Sequence, residues 1–478
     1  MTVVSEHYSL GRTQPTLDFV DVPIDGDLRV FVDPRALRLL ASQWGAECVS
    51  LVQSFFRTVL NAIHEERHDD AQRLLLFLRE PNETRLGLSR GRPRGRALGP
   101  ESALSVWEAL HRSEAVRSGL LEDLEDTILM VEGISSDIVS DITTNLIREP
   151  LIQYTQDVCP YYGIPLVNDV DSGPLWQPRR QEWGSTYVRL PIAAGRKLLL
   201  VPKSIVRRRM DYDSEEYFNN YILEHLREQE LSANTELVRL LKSGGRRVTK
   251  KDLRAKYGTG KSVIVRETLN TPRLLDDYRR DKRHDIRPPL THYEIAETEG
   301  TPAPDWTALR DRVLAVAPGR ANAGSYETAI EAFLTAVLYP ALSHPQVQYE
   351  IHDGRKRIDI TYTNGAHAGF FYWLALHYPA AHVFVECKNY STDPVNPELD
   401  QLAGRFSPSR GQFGLLVCRR FEDKELFIQR CIDTARDSRG FIVPLDDDDL
   451  QRLLEERSLD DLVLDFPMLR ERFARLVM

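Results

Sequence analysis

The sequence predicts an α/β protein in which a C-terminal αβββαβ sandwich follows a large, mixed, mainly helical α+β N-terminal region. Short apolar runs of alternating side chains, with helical periodicity between them, predict the sandwich. The change to this regular pattern comes directly after a stretch rich in proline and glycine. The predicted strands are Gln346–His352, Arg357–Thr363, His382–Lys388, Gln412–Cys418 and Gly440–Pro444. The predicted helices are Trp306–Val316, Tyr326–Leu338, Glu398–Phe406, Lys424–Asp437 and Asp448–Glu456.

Length and composition exclude several classes of protein. The chain has 478 residues, 42% of them hydrophobic, with 62 Lys and Arg against 71 Asp and Glu. These values favour two or three globular domains and exclude a fibrous or largely disordered chain. No apolar run is long enough to span a bilayer, and no secretion signal is recognised. Five dispersed cysteines without a CxxC motif predict free thiols, so we expect a cytoplasmic protein with no membrane partner.

Two proline-rich stretches divide the chain. Residues 1–290 form the predicted N-terminal region, with a polar stretch at 168–184 as a candidate internal boundary. A linker is expected at 291–305 and the sandwich at 306–478. Within the first region, alternating residues predict strands at Leu17–Ile24 and Leu28–Val32, and an apolar run predicts a buried strand at Lys197–Pro202.

Three ionisable residues lie on two neighbouring predicted strands. Glu386 and Lys388 alternate with apolar residues, so both side chains leave the same face of their strand. Asp359 lies between two isoleucines on the preceding strand. Two carboxylates and a lysine suit metal-assisted phosphodiester hydrolysis, because Mg²⁺ prefers oxygen ligands and a lysine can stabilise developing negative charge.

This pattern, Asp359 with Glu386-Cys387-Lys388, resembles the PD-(D/E)XK, or restriction-endonuclease-like, nucleases. The resemblance covers about 318–445 and implies a restriction-endonuclease-like sandwich. It implies that Asp359 and Glu386 bind Mg²⁺, or Mn²⁺ as a substitute, together with the carbonyl of Cys387. Lys388 would be the catalytic lysine. The helical glutamate and glutamine of the family match Glu327, which fits better than Glu331, and Gln401.

The resemblance further implies a metal-dependent endonuclease that acts on nucleic acid, with DNA as the favoured substrate, in a prokaryotic restriction or antiviral defence context. A homodimer or a partner defence protein would then complete the assembly, and residues 1–290 would supply recognition or control. Two alternatives stay open. One is a nucleic-acid-binding scaffold whose nuclease-like domain is inactive, and the other is an RNA-cleaving effector.

The sequence departs from the family pattern in two ways. Ile358 stands where the motif has proline, and 27 residues separate Asp359 from Glu386. The intervening segment, Asn364–Ala381, must therefore form an insertion rich in aromatic residues, either a hairpin arm or a short helix. Its aromatic side chains either stack on substrate bases or, as the favoured interpretation, cover the core.

Several other sequence features have both a functional and a simpler structural explanation. Residues 241–290 hold 15 Lys or Arg against 6 Asp or Glu, which indicates either a surface that follows a phosphate backbone or a solvated face. The Gly/Arg-rich loop Arg85–Arg96 allows the same two interpretations. The P-loop-like segment Tyr257–Ser262 lacks the required glycine and preceding strand, so no nucleotide hydrolysis is predicted. Asp137 and Asp141 are expected to cap and solvate a helix, and Asp446–Asp449 to cap another.

Overall fold

The computed structural model contains two large hydrophobic cores and a small third cluster of Ile152, Leu175, Leu190 and Leu199. It describes residues 2–40, 42–87, 100–241, 245–284, 287–351, 356–390, 394, 396–459 and 463–478. The first core runs in sequence from Val4 to Ile295 and the second from Leu309 to Leu476. Because each cluster collects apolar side chains from one continuous part of the chain, the two parts can be described in turn.

The first part is mainly helical. Its helices are α1 (Val4–His7), α2 (Pro34–Leu39), α3 (Gln43–His64), α4 (His68–Leu75), α5 (Pro100–Arg112), α6 (Glu114–Arg117), α7 (Asp126–Met130), α8 (Ser136–Leu146), α9 (Arg148–Tyr162), α10 (Ser214–Tyr217), α11 (Leu223–Ala233), α12 (Lys250–Tyr257), α13 (Lys261–Asn270), α14 (Arg273–His284) and α15 (His292–Glu299). Its strands, arranged in pairs, are β1 (Phe31–Val32), β2 (Val167–Asp171), β3 (Leu175–Gln177), β4 (Glu182–Gly184), β5 (Tyr187–Leu190), β6 (Ile192–Ala193), β7 (Arg196–Lys197), β8 (Val206–Arg207), β9 (Arg239–Leu240) and β10 (Arg246–Arg247). A π-helical turn, Phe218–Ile222, joins α10 to α11.

The second part is built on one five-stranded sheet. The strands are β11 (Leu342–Ile351), β12 (Lys356–Asn364), β13 (His382–Lys388), β14 (Phe413–Cys418) and β15 (Phe441–Leu445), and they lie in sequence order across the sheet. Strand β12 is antiparallel to both of its neighbours, β11 and β13, and the last two strands run parallel to β13. The helices are α16 (Trp306–Leu314), α17 (Ala323–Val337), α18 (Gly369–His377), α19 (Asn396–Ala403), α20 (Lys424–Arg436), α21 (Asp447–Leu459) and α22 (Pro467–Val477).

This order confirms the predicted α/β class and each of the five predicted strands. The apolar residues Ile358, Ile360 and Tyr362 of β12 are fully buried. Tyr362 lies against α17, where its hydroxyl is 3.0 Å from that of Thr335. On the strand next to it, Phe384 stacks against Phe406, which follows α19. The sheet is therefore covered on both faces, as strands joined by helical crossovers require.

One predicted N-terminal strand is absent and another is shorter than predicted. Within Leu17–Ile24 and Leu28–Val32, only Phe31–Val32 forms a strand, and it pairs with Val206–Arg207. The apparent alternation of Leu17–Ile24 arose from Asp18 and Asp21, which are themselves buried and hydrogen-bonded. Most of the run Lys197–Pro202 is likewise extended but outside a ladder, because successive N–H groups donate to scattered partners such as Pro191 and Glu83.

The expected linker at 291–305 contains helix α15. A capping box explains the helix start, since Thr291 and Glu294 exchange hydrogen bonds there. His292 is buried and its ring lies 2.9 Å from the carbonyl oxygen of Ala336 on α17. Gly300 ends the helix in a left-handed conformation with φ of 71°.

Buried polar contacts join the two parts of the chain. The Arg12 guanidinium lies 2.7 Å from the Glu331 carboxylate of α17, which also accepts a hydrogen bond from Tyr161. The Asp18 carboxylate accepts the backbone N–H of His344 at 2.8 Å. Helix α17 is thus held by the first part of the chain on one side and by the sheet on the other.

All five cysteines are free thiols, and four of them are buried. Among the described residues, no helix is long and apolar enough to cross a membrane.

Candidate metal-dependent active site

The site lies where strands β12 and β13 stop pairing. Their antiparallel register runs from Thr363 opposite His382 to Ile360 opposite Val385. One position further along the same register, Asp359 stands across from Glu386, and opposed residues of antiparallel strands project from the same face. The two carboxylates predicted from sequence are therefore brought together by the sheet.

Beyond the last paired residues, the Asp359 side chain joins the two strands by a hydrogen bond. Its Oδ2 atom accepts the backbone N–H of Cys387 at 2.8 Å. The flanking Ile358 and Ile360 are fully buried, which fixes the opposite face of the strand in the core and directs Asp359 toward the site. Asp359 is consequently oriented by both its neighbours and its hydrogen bond.

Glu386 is fully buried and lies at the centre of a hydrogen-bonded triangle. Its Oε1 atom accepts from Lys388 Nζ at 2.8 Å and from Gln401 Nε2 at 2.5 Å. Lys388 Nζ also lies 3.3 Å from Gln401 Oε1. The second carboxylate oxygen, Oε2, is buried without a hydrogen-bond partner in the described part of the chain. A buried acceptor left open in this way is a place where a cation can bind.

Burial and mutual repulsion perturb the acids. Burial raises the pKa of Asp359, against the hydrogen bond from Cys387. Burial, followed by the charge of Asp359, raises the pKa of Glu386. Burial acts to lower the pKa of Lys388, but the adjacent Glu386 carboxylate outweighs it, so that pKa is raised. Lys388 is therefore a cation held by an anion.

Glu327 lies at the edge of the same site, on α17. Its Oε1 atom accepts from Gln348 Nε2 at 2.8 Å. Burial, with a smaller effect from Asp359 and Glu386, raises its pKa to about 7. Glu331, four residues further along the helix, faces Arg12 instead. This placement agrees with the preference for Glu327 over Glu331.

Cys387 contributes its backbone, not a reactive thiol. It pairs with Val417 in the parallel ladder, and its N–H is used by Asp359. Burial and the neighbouring acids raise the pKa of its thiol well above the ordinary value, which disfavours the thiolate that a cysteine nucleophile needs. Its carbonyl as a metal ligand stays a prediction.

Three further residues of the site were not predicted from sequence. Asn389 Nδ2 donates to the carbonyls of Ala317 and Gly319, which ties the end of β13 to the loop before α17. Gln348 holds Glu327. Arg405, just after α19, lies close enough to lower the pKa of both Asp359 and Glu386 against burial. Each is a lone polar residue in sequence, and only the folded chain connects it to the acids.

The site can supply two carboxylates to a metal. In the described ranges, no group of three or more His, Cys, Asp or Glu side chains is arranged to hold a metal ion. Mg²⁺ is commonly bound through one or two carboxylates, with water and substrate phosphates completing its shell. Asp359 and Glu386 meet that requirement, and the open Oε2 atom of Glu386 fits it.

The aromatic insertion covers the core. The segment between β12 and β13 forms the short helix α18, in which Phe370 and Phe371 are fully buried. Phe370 packs at 6.2 Å from Phe473 and Phe371 at 6.1 Å from Phe466, both in the C-terminal segment. Tyr372 is the exposed ring of this helix. The favoured interpretation of the insertion is confirmed for the buried rings.

Much of the positive charge in 241–290 is already paired. The pairs are Lys250–Glu224, Lys256–Glu230, Arg266–Glu267, Arg279–Asp126, Arg280–Asp277 and Lys282–Glu216. This pairing favours a structural role for much of the region over a continuous phosphate-binding surface. Of the Gly/Arg-rich loop Arg85–Arg96, residues 88–96 lie outside the described residues.

The remaining sequence signals have structural explanations. Lys261, in the P-loop-like segment, donates to the carbonyls of Val131 and Ile134. Asp446 caps α21 by accepting the N–H of Asp449, as expected. Asp141 differs from expectation, because it is 6% exposed and burial raises its pKa well above the ordinary value.

Comparison with known proteins concerns the first part of the chain. Residues 9–213 match the family model of a domain of unknown function (DUF8370). The matched range ends well before the five-stranded sheet, so it assigns no chemistry to the site. No curated protein and no solved structure matches the chain.

Proposed function

We propose that residues 306–478 form a metal-dependent nuclease with a restriction-endonuclease-like fold. The observation that carries this proposal is the opposition of Asp359 and Glu386 at the open end of β12 and β13, with Lys388 bound to Glu386. Three strands in antiparallel pairing, followed by two that continue the sheet in parallel pairing, with helices on both faces, support the fold assignment.

Asp359 and Glu386 would hold Mg²⁺, or Mn²⁺ in its place. Both are oxygen donors, the type that hard divalent cations prefer. Bringing two buried carboxylates together is unfavourable, as their raised pKa values indicate, and a divalent cation relieves that cost. When bound, Mg²⁺ supplies a coordinated water of lowered pKa and offsets the charge of the phosphate.

Lys388 would act on the attacking water or on the phosphate oxygens. Its amine is held by Glu386 and Gln401, so its position is fixed before substrate binds. A preorganised cation stabilises negative charge that develops in the transition state. Glu327, whose pKa is raised to about 7 chiefly by burial, would accept a proton or complete the metal shell at the edge of the site.

DNA is the proposed substrate and endonucleolytic cleavage the proposed reaction, in a restriction or antiviral defence setting. The first part of the chain would recognise the target or control the site. The ion pair between Lys388 and Glu386 also supports a second candidate, an inactive nucleic-acid-binding scaffold, because the same pair would neutralise a site that no longer binds metal. An RNA-cleaving effector would use the same residues on another substrate.

One cleavage assay separates these candidates. Purified protein is incubated with plasmid, single-stranded DNA and total RNA, each in Mg²⁺, in Mn²⁺ and in EDTA. The proposed function predicts metal-dependent cleavage of DNA by the wild type and by the exposed control Asp437→Asn, and none by Asp359→Asn or Lys388→Ala. The RNA-cleaving candidate predicts RNA as the substrate cut, and the scaffold predicts nucleic-acid binding without cleavage. Cleavage by the Asp359→Asn variant at the wild-type rate would refute the assignment of this site.

A further inference from the structure

Arg405 is placed beside the carboxylates by the end of α19. The helical turn continues past Ala403, because Gly404 N–H donates to Asp400 and Arg405 N–H donates to Leu402. Arg405 therefore comes one turn after Gln401, the residue that contacts Glu386. Residues four apart on a helix share a face, so Arg405 lies on the site-facing side of α19.

The next residue fixes this position. Phe406 stacks on Phe384, with ring centroids 5.8 Å apart, on the same face of β13 as Glu386. The ring also lies against Gly440, where an added Cβ atom would come within 2.2 Å of it. Because Phe406 is packed into this tight space, the backbone of Arg405 has little freedom to turn away.

Arg405 is a buried cation without an anion. It is 8% exposed, and its Nε atom is buried with no hydrogen-bond partner. Across the described residues, its guanidinium makes no ion pair within 4 Å and donates no hydrogen bond. Arg472, which is also 8% exposed, pairs with Asp449, and Arg279, at 7%, pairs with Asp126. A buried charge is normally paired, since leaving it unpaired is costly.

The acids nearest to Arg405 already have other partners. Asp359 accepts from Cys387, and Glu386 accepts from Lys388 and Gln401. The charge of the guanidinium acts to lower the pKa values of both acids, but among the described residues no ion pair joins it to either one. A planar guanidinium matches a phosphate group by forming two parallel hydrogen bonds.

We propose that Arg405 binds a non-bridging oxygen of the substrate phosphate, beside the Asp359–Glu386 pair. The inference rests on the proposed nuclease function and extends it to the anionic group of the substrate. Arg405 would then be a substrate-binding residue whose unpaired charge lowers stability until a phosphate enters.

The experiment uses the full chain with Arg405→Met, Arg405→Lys and the exposed control Arg436→Met. Binding of a short fluorescent DNA duplex is measured in EDTA over a range of salt concentrations. We expect Arg405→Met to weaken binding about tenfold to a hundredfold, as loss of a charged hydrogen bond does. The slope of log affinity against log salt should fall by about 0.9, the value for one phosphate contact. Arg405→Lys should retain part of the affinity, and Arg436→Met all of it.

Thermal unfolding gives a second readout that needs neither cleavage nor DNA. Inorganic phosphate should raise the Tm of the wild type more than that of Arg405→Met at matched ionic strength, and without phosphate Arg405→Met should melt at or above the wild-type Tm. If the wild type binds DNA without cleaving it, the proposed nuclease function is refuted. The Arg405 inference is still supported in that case if Arg405→Met binds DNA more weakly than the wild type. Cleavage and binding by Arg405→Met equal to wild type, or no effect of DNA and phosphate on either protein, would overturn the inference.

Discussion

Lys388 Nζ lies 2.8 Å from Glu386 Oε1, and the two side chains leave the same face of β13 two residues apart. Gln401 closes the triangle from α19 and contacts both. The charge of the lysine is thus already oriented toward the acids before any substrate is present.

Gln401 should position Lys388 without supporting the fold. The residue is exposed, so Gln401→Ala is expected to leave the Tm almost unchanged. Loss of its contacts frees the amine, and cleavage should fall about tenfold. The measurement is the initial rate of plasmid nicking, with the exposed Gln429→Ala as the matched control. Equal rates in both variants would show that Gln401 has no positioning role.

Without a bound metal, the Asp359 carboxylate is expected to lower the stability of the folded protein. Because it is buried opposite another carboxylate, Asp359→Asn is expected to raise the Tm in EDTA while it abolishes cleavage. Mg²⁺ should raise the Tm of the wild type, as any ligand of the folded state does, and should not raise that of Asp359→Asn. Differential scanning fluorimetry in Mg²⁺ and in EDTA checks this, and identical Mg²⁺ responses would contradict the assigned ligand.

The ion pair between Arg12 and Glu331 should hold the two parts of the chain together. The Glu331 side chain is fully buried, so Glu331→Gln leaves Arg12 without its charged partner. Breaking a buried pair on one side costs about 3 kcal/mol of unfolding free energy. Urea unfolding followed by tryptophan fluorescence measures the loss. Glu297→Gln, which breaks the exposed pair with Arg208, is the control and should cost under about 1 kcal/mol.

Lys203 should make the stability of the folded protein change with pH above neutrality. It is 1% exposed, and burial lowers its pKa from 10.5 to about 7. Between these two pH values the unfolded chain binds a proton that the folded chain does not, so the cost of burying Lys203 falls as pH rises across this window. Below the window both states carry the charge, and the full cost is present. Lys203→Met is therefore expected to gain most, relative to wild type, near pH 7, and the difference should shrink toward pH 10. Unfolding curves across this range test it against the exposed Lys251→Met, and a constant difference would contradict the shifted pKa.

The five strands of the sheet could be predicted because their signal is local. Successive side chains of the buried strand β13 point to opposite faces of the sheet. Val383 and Val385 therefore lie on one face, and Glu386 and Lys388 lie together on the other. Predicting that Asp359 and Glu386 lie close together required only that their two strands be neighbours in the sheet. The predicted strand Leu17–Ile24 failed because Asp18 and Asp21 imitate the polar half of an alternating pattern while being buried and hydrogen-bonded.

Arg405 shows what sequence patterns leave out. It follows a glycine at the end of a helix, a position where arginine is commonplace. What distinguishes it from Arg472 is the absence of an anion within reach among the described residues, and that is a property of three-dimensional neighbours. Asn389 is similar, because its role depends on a loop about seventy residues earlier in the chain.

Helix α17 carries Glu327 at the site and Glu331 at the contact with Arg12, four residues apart. Over that distance, about 6 Å along the axis, an α-helix behaves as a stiff rod. Glu327 at the site and Glu331 at the contact with Arg12 are therefore expected to move together. A displacement of Glu331 would therefore reach Glu327 directly, because the helix between them is continuous.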